Sequence, residues 1–384
     1  MPVVRAGCRE AMLPLLLAEM PDLERAVAKI FAVGFDGKTV TPALGKLLQR
    51  GVGAVALFSR NVESPQQVAR LCFDIQNRAG RAVLIAVDQE GGRVARLRNG
   101  FTPIPSMRAV GASGDENLAE KIGRLIAAEL RAVNISMDFA PVMDVDSNPA
   151  NPVIGDRSFG ADPALVARMG AALIRGIQLG GVAACAKHFP GHGDTSKDSH
   201  FDLPTLPHPL ARLEEIELPP FAAAIAAGVS AIMTAHVVFE ALDDKNPATL
   251  SQTVLSNLLR QKLRFPGVTM SDALEMRAVA DRFTADEMVI QGANAGLDVL
   301  AICENPDLQN RAIEALIAAT ESGKVAEDVI ISANRRIDRL IRQYVRPPAE
   351  RPDLSILNSA AHRAIVEQIA SVPVGPDPTE RSTT

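Results

Sequence analysis

Residues 182–200 read VAACAKHFPGHGDTSKDSH. The first half is a continuous apolar run ending in Lys187 and His188, and the second is a polar loop rich in Gly and Pro. Short apolar runs of this kind, with no alternation, suit strands buried on both faces of a sheet. Seven others recur along the chain: KIFAVGF (29–35), VGAVALF (52–58), AVLIAVD (82–88), ISMDFAPVMDV (135–145), VSAIMTAH (229–236), GVTMSD (267–272) and GLDVLAI (296–302). Between them lie segments with helical spacing, such as SPQQVARLCFDIQNRA, ENLAEKIGRLIAAELRAV and PALVARMGAALIRGIQLG. Several open on Ser-Pro or Asp-Pro and close near Gly, which are helix start and stop signals. Eight strands alternating with helices predict parallel pairing and an α/β fold, a single (β/α)8 barrel. An open dinucleotide-binding sheet would want GxGxxG after its first strand, and GFDGKT does not supply it.

The domain plan expected is an N-terminal extension over 1–27, a barrel over 28–345 and a C-terminal extension over 346–384. The last begins with RPPAERPD, continues through a short helix near SAAHRAIVEQIASV and ends in a polar tail expected to be disordered. AMLPLLLA (11–18) follows Arg5 and Arg9 as a secretory signal would. It contains Pro14, however, and passes into MPDLER without a small-residue cleavage site, so it reads as a short amphipathic extension. No run reaches the ~20 apolar residues of a membrane span.

The 384 residues are 47% hydrophobic and 22% charged, with a formal charge of -5. With no basic run, nucleic acid is not an expected partner. Cys8, Cys72, Cys185 and Cys303 are scattered without a CxxC pair, which favours a reducing, cytoplasmic compartment. Cys185 and Cys303 lie in apolar runs and are expected to pack as small hydrophobes.

Chemistry gathers where the strands end. Asp88, Asp144, Lys187, His188, His236 and Asp272 all close apolar runs, and in a (β/α)8 barrel those ends converge on the active-site face. The alternative for any one of them is a loop cap; six at one rim favour an enzyme. Three of the six histidines fall within 187–200, and a metal cluster, a packed core and a catalytic loop are the possible reasons. His188 and His192 are spaced like zinc ligands on a helix, but Phe-Pro-Gly between them argues against one. His200 with Asp194 or Asp198 could form a loop site, although no recognised ligand spacing is present. Polar neighbours around His192 and His200 leave no apolar face to bury them, so a catalytic loop is the expectation. His236 is balanced between facing the site and bonding a neighbour. Asp144 leans towards capping a turn, His192 towards shaping its loop, and His208 and His362 are expected to be exposed.

KHFPGHG followed by DSH, with VDQEGGRV (87–94) and SDAL (271–274), resembles glycoside hydrolase family 3. Within it the chain is most similar to the bacterial single-domain β-N-acetylhexosaminidases, over about residues 28 to 340. The resemblance implies Asp272 as the nucleophile that forms a glycosyl-enzyme intermediate, His200 as general acid/base and Asp198 as the carboxylate orienting it. It also implies that Asp88, Arg96, Arg157, Lys187 and His188 hold the terminal sugar. Position 273 is Ala where many relatives carry a second Asp. The implied activity is retaining exo-β-N-acetylglucosaminidase action on peptidoglycan fragments such as GlcNAc-1,6-anhydro-MurNAc, with or without peptide. No cofactor and no metal is implied, and the expected partner is a small carbohydrate, with the chain a monomer.

The chemistry suits these residue types. Retaining glycosidases usually use two carboxyl groups about 5–5.5 Å apart, but a histidine already titrates near neutrality and transfers protons without retuning. A nearby carboxylate favours its charged form. Asp198 and His200 would share one side of an extended segment, and Gly191 and Gly193 leave the backbone before them permissive. The lack of Trp, with a single Tyr344, favours a small exo-acting pocket over a long stacking cleft. Three other readings are a family 3 β-glucosidase, whose acid/base comes from a second domain, a non-catalytic sugar-binding barrel, and a metal-dependent barrel hydrolase.

Overall fold

A computed structural model of the chain describes residues 22–196 and 203–369. His200, Asp198, the first 21 residues and the tail from 370 lie outside the described residues. Eight parallel strands form one sheet: β1 Phe31–Val33, β2 Ala54–Leu57, β3 Leu84–Val87, β4 Met137–Asp138, β5 Ala183–Phe189, β6 Ala231–Thr234, β7 Val268–Ser271 and β8 Leu300–Ile302. Their order is β7-β6-β5-β4-β3-β2-β1-β8. The seam between β7 and β8 is bridged at Met270–Val299, with Ser271 N donating to Val299 O at 3.0 Å and Leu274 N to Ala301 O at 2.9 Å. The expected (β/α)8 barrel is therefore the fold.

Each strand sits inside an expected apolar run and is shorter than it. In 135–145 only Met137–Asp138 pairs regularly, since Pro141 has no N–H to give. The chain there is still tied to β5, through Cys185 N to Ala140 O at 2.9 Å and Met143 N to Lys187 O at 2.6 Å. β5 is small and fully buried at Ala183, Ala184, Cys185 and Ala186, which lets the outer helices approach closely. The start signals act as read: Ser64 accepts from Gln67 N before Pro65, and Asp162 from Ala164 N before Pro163.

The N-terminal helix Leu23–Lys29 runs across the boundary expected at 27/28 and packs onto the barrel's last helices. Lys29 Nζ lies 2.8 Å from Asp338, and Asn334 Nδ2 donates to Ala26 O at 2.8 Å. Beyond the barrel, helix Ala360–Val366 docks on helix Glu116–Ala132. Its His362, expected to be exposed, is buried with Nδ1 2.8 Å from the buried carboxylate of Glu129. Glu129 also takes Asn358 N and Thr102 N, each at 2.9 Å, so a polar stretch of sequence becomes part of the packed body.

Candidate active site

After β3 the chain turns back at once in a hairpin, Gln89–Gly91 against Val94–Ala95. The turn needs glycine: Gly91 and Gly92 have φ of +95° and +58°, and a Cβ on Gly91 would lie 2.5 Å from Pro105 O. The Gln89 amide fixes the hairpin, with Nε2 donating to Leu97 O at 2.8 Å and Oε1 accepting from Leu97 N at 3.0 Å. This geometry stacks side chains above the strand ends into one run of alternating charge. Arg96 lies 3.4 Å from Asp88 Oδ2, and Asp88 Oδ1 accepts from Lys187 Nζ at 2.6 Å. Lys187 Nζ is also 2.6 Å from Glu90 Oε1. Glu90 in turn receives Arg157 bidentately, from Nε at 2.9 Å and Nη2 at 2.8 Å.

Four of these five side chains are almost fully buried, and a charge so placed is tolerated only when paired. Burial opposes ionisation of Glu90, but Arg157 and Lys187 more than offset it and hold the carboxyl well below its usual range. Lys187 is likewise kept charged: burial works against it, and Asp88 and Glu90 outweigh the cost. Beneath them Asp138 accepts from Gln89 N at 3.0 Å through Oδ1. Burial, with Asp88 and Glu90 nearby, raises its pKa well above the ordinary value.

A second group centres on Asp144, which is fully buried. It accepts from His188 Nδ1 at 2.7 Å, His188 N at 3.2 Å and His192 N at 2.7 Å. Burial opposes its charge, and the His188 imidazole prevails and lowers its pKa. Rather than capping its own turn, Asp144 ties β5 to the loop that follows it. Around it, Asn151 Nδ2 donates to His192 O at 2.9 Å and Gly193 O at 3.0 Å, and Ser147 Oγ donates to Asp194 at 3.0 Å. A Cβ on Gly193 would fall 1.7 Å from Val145 O, so the two loops touch backbone to backbone. Asp194 also pairs with His208, which is therefore half-buried and not the exposed residue expected.

His192 corrects the expectation that polar neighbours would keep it from being buried: it is 2% exposed, with Nδ1 2.9 Å from Thr195 Oγ1. Burial, then the adjacent His188, pushes its pKa down to about 4. An unfolded histidine near 6.5 takes up its proton first as pH falls. The stabilisation from neutral His192 is thus complete above about 6.5 and is lost towards pH 4, on the order of 3 kcal/mol. Urea unfolding between pH 7.5 and 5 should show a flatter stability slope for His192→Gln than for the wild type. Equal slopes would remove His192 as the source.

Asp272 follows β7, half-buried, and its Oδ1 accepts from Ala273 N at 2.7 Å. The turn carrying it is held from both sides. His236 places Nε2 3.0 Å from Ala273 O and Nδ1 2.8 Å from Thr249 Oγ1. Glu275 accepts from Glu304 N at 3.0 Å and Asn305 N at 2.7 Å in the turn after β8. Asp88 and Asp272 face the same interior: the thiols of Cys185 and Cys303, pushed up first by burial, are raised further by both carboxylates.

The structure thus joins Asp88, Arg96, Lys187 and Arg157 through Glu90, sets His188 on Asp144, and places Asp272 over the same barrel. Glu90, Asp138, Asn151 and Glu275 carry no expectation from sequence. For Glu90 a signal existed, since the candidate cations Lys187 and Arg157 each required a carboxylate if buried. Among the described residues no group of three or more His, Cys, Asp or Glu is placed to hold a metal ion.

Residues 23–340 match the glycosyl hydrolase family 3 N-terminal domain. A β-hexosaminidase of Thiobacillus denitrificans is 40% identical over 319 residues, covering 82% of this chain and 85% of that protein. One of Methylobacillus flagellatus is 42% identical over 262 residues, covering 67% and 74% respectively. Among solved structures, a glycoside hydrolase family 3 β-N-acetylglucosaminidase from Paenibacillus sp. strain FPU-7 aligns with a TM-score of 0.88 at 41% identity, over 91% of this chain and 68% of that one. NagZ from Neisseria gonorrhoeae, solved in complex with N-trifluoroacetyl-D-glucosamine, aligns with a TM-score of 0.75 at 31% identity, over 88% and 96%. Since the sequence match runs through all eight strands and the charged rim at their ends, the chain belongs to glycosyl hydrolase family 3.

Proposed function

We propose that the protein is a cytoplasmic, retaining exo-β-N-acetylglucosaminidase acting on peptidoglycan fragments such as GlcNAc-1,6-anhydro-MurNAc, with or without peptide. Carrying this reading is the paired run Arg96–Asp88–Lys187–Glu90–Arg157 over the barrel that also bears Asp272. Relatives named β-hexosaminidase at about 40% identity add to it. Asp88 has the most exposed side chain of the run, at 16%, and offers carboxylate oxygens to sugar hydroxyls. Arg96 and Lys187 fix where those oxygens point.

In the first step an Asp272 oxygen forms a bond to the anomeric carbon while the bond to the leaving oxygen breaks, and His200 supplies the proton that oxygen takes. In the second, His200 removes a proton from water, whose oxygen displaces the carboxylate and restores the original configuration. Asp198 holds the imidazole charged and oriented.

Incubation with a 2-acetamido-2-deoxy-5-fluoro-glycoside bearing a good leaving group tests this, because the fluorine slows both oxocarbenium-like steps while the leaving group speeds only the first, so the glycosyl-enzyme accumulates. The expected result is one sugar bonded to the peptide containing SDAL, located by mass spectrometry. Inactivation with label on any other peptide would overturn the assignment. Faster turnover of an aryl β-glucoside than of the aryl β-N-acetylglucosaminide would overturn the substrate class.

A further inference from the structure

We propose that Glu90 is a positioning residue, holding Lys187 and Arg157 at the separation the hydroxyls of the terminal sugar require; this rests on the reading of the site as a sugar pocket. Glu90 is the deepest member of the charged run, its side chain 1% exposed, against 16% for Asp88. It is therefore placed to act through other side chains, not on the substrate itself.

Its partners are unusual for a buried acid. Glu275 in the same barrel spends its oxygens on backbone N–H groups, as an acid that pins a turn does. Glu90 gives both oxygens to two cations that come from different elements, Lys187 from β5 and Arg157 from the short turn Gly155–Arg157. Nor does the hairpin depend on it, since Gln89 already fixes that turn through Leu97 and Asp138.

Three cations in this run share two carboxylates. Without Glu90, Arg157 would lose its bidentate carboxylate and the two cations would repel across the gap it leaves. Lys187 would then have Asp88 alone, and would draw it away from the opening where the sugar arrives. Displacing a positioning contact by about 1 Å costs on the order of 100-fold in rate.

The test compares wild type, Glu90→Gln and Glu90→Asp for kcat and KM on an aryl β-N-acetylglucosaminide across pH, with circular dichroism and melting temperature on each. Glu90→Gln should lower kcat/KM by roughly 100-fold. The loss should appear in KM as well as kcat while the alkaline limb, which the general acid sets, stays in place, because what is displaced is the grip on the sugar. Glu90→Asp keeps the charge but reaches one methylene less far, so kcat/KM should fall by about tenfold with the alkaline limb in place. Folded variants with wild-type kcat/KM would overturn the inference. Should Glu90→Gln not fold, wild-type kinetics in Glu90→Asp would do the same. Absence of turnover by the wild type would sink the glycosidase reading, whereas active wild type with unaffected variants sinks this inference alone.

Discussion

Replacing Asp272 by alanine is expected to lower turnover of an aryl β-N-acetylglucosaminide by at least ~10⁴-fold, the scale on which removal of a covalent nucleophile acts. The protein should remain folded. Asp272 is half-buried at a strand end, and the turn that carries it is held independently by His236 and Glu275. Losing the bond from Ala273 N costs about 1 kcal/mol, and the melting temperature should move by no more than about 5 °C. Azide separates a nucleophile from a merely structural acid. In the space the carboxylate vacates, azide can attack the anomeric carbon directly, forming a C–N bond as the aryl oxide leaves. The expected product is the α-configured glycosyl azide, with turnover partly restored. A variant that keeps more than a tenth of wild-type turnover, or that azide leaves inert while the fold is intact, would remove Asp272 from the reaction.

How much of this site the sequence showed follows from how far apart the interacting residues lie. Strand positions were legible because strands buried on both faces must be apolar throughout, a property of consecutive residues. The charged residues at their ends were legible for the same reason, as abrupt departures from an apolar run. Even so, the run at 135–145 shortens to Met137–Asp138, because one proline interrupts the ladder. What stayed hidden depends on partners distant in the chain. Glu90 is paired with residues 67 and 97 positions on. Asp144 reads locally as a turn cap, yet its carboxylate serves N–H groups 44 and 48 residues away. His208 and His362 sit among polar neighbours in sequence and are expected at the surface, and His192 is expected to shape its loop without an apolar face to bury it. Burial is set by neighbours in space, and each finds a fixed hydrogen-bonding partner there: Thr195, Asp194 and Glu129.

The largest expected split between substrates belongs to His200. A leaving group that needs a proton, such as the alkyl alcohol of a second sugar, cannot depart readily once the acid is gone. The expected loss in kcat/KM for His200→Ala is ~10²–10⁴-fold, the usual worth of a positioned proton donor. A 2,4-dinitrophenyl leaving group departs as a stable anion, and kcat/KM, which reports the first step, should stay within about tenfold of wild type. The second step still lacks its base, so kcat on that substrate should fall and a burst of dinitrophenolate should precede slow steady turnover. Replacing Asp198 by alanine should give the same pattern more weakly, and should lower the alkaline limb of the pH profile, since the imidazole loses the neighbouring charge that favours its protonated form. The approach to these residues is fixed where it is described: Asn151 and Asp144 clamp residues 192 and 193 from one side. Beyond the segment, Thr205–Leu206 pairs with Val238–Phe239. Equal losses on the dinitrophenyl and disaccharide substrates would mean that His200 serves binding or folding, and the proton would have to come from elsewhere.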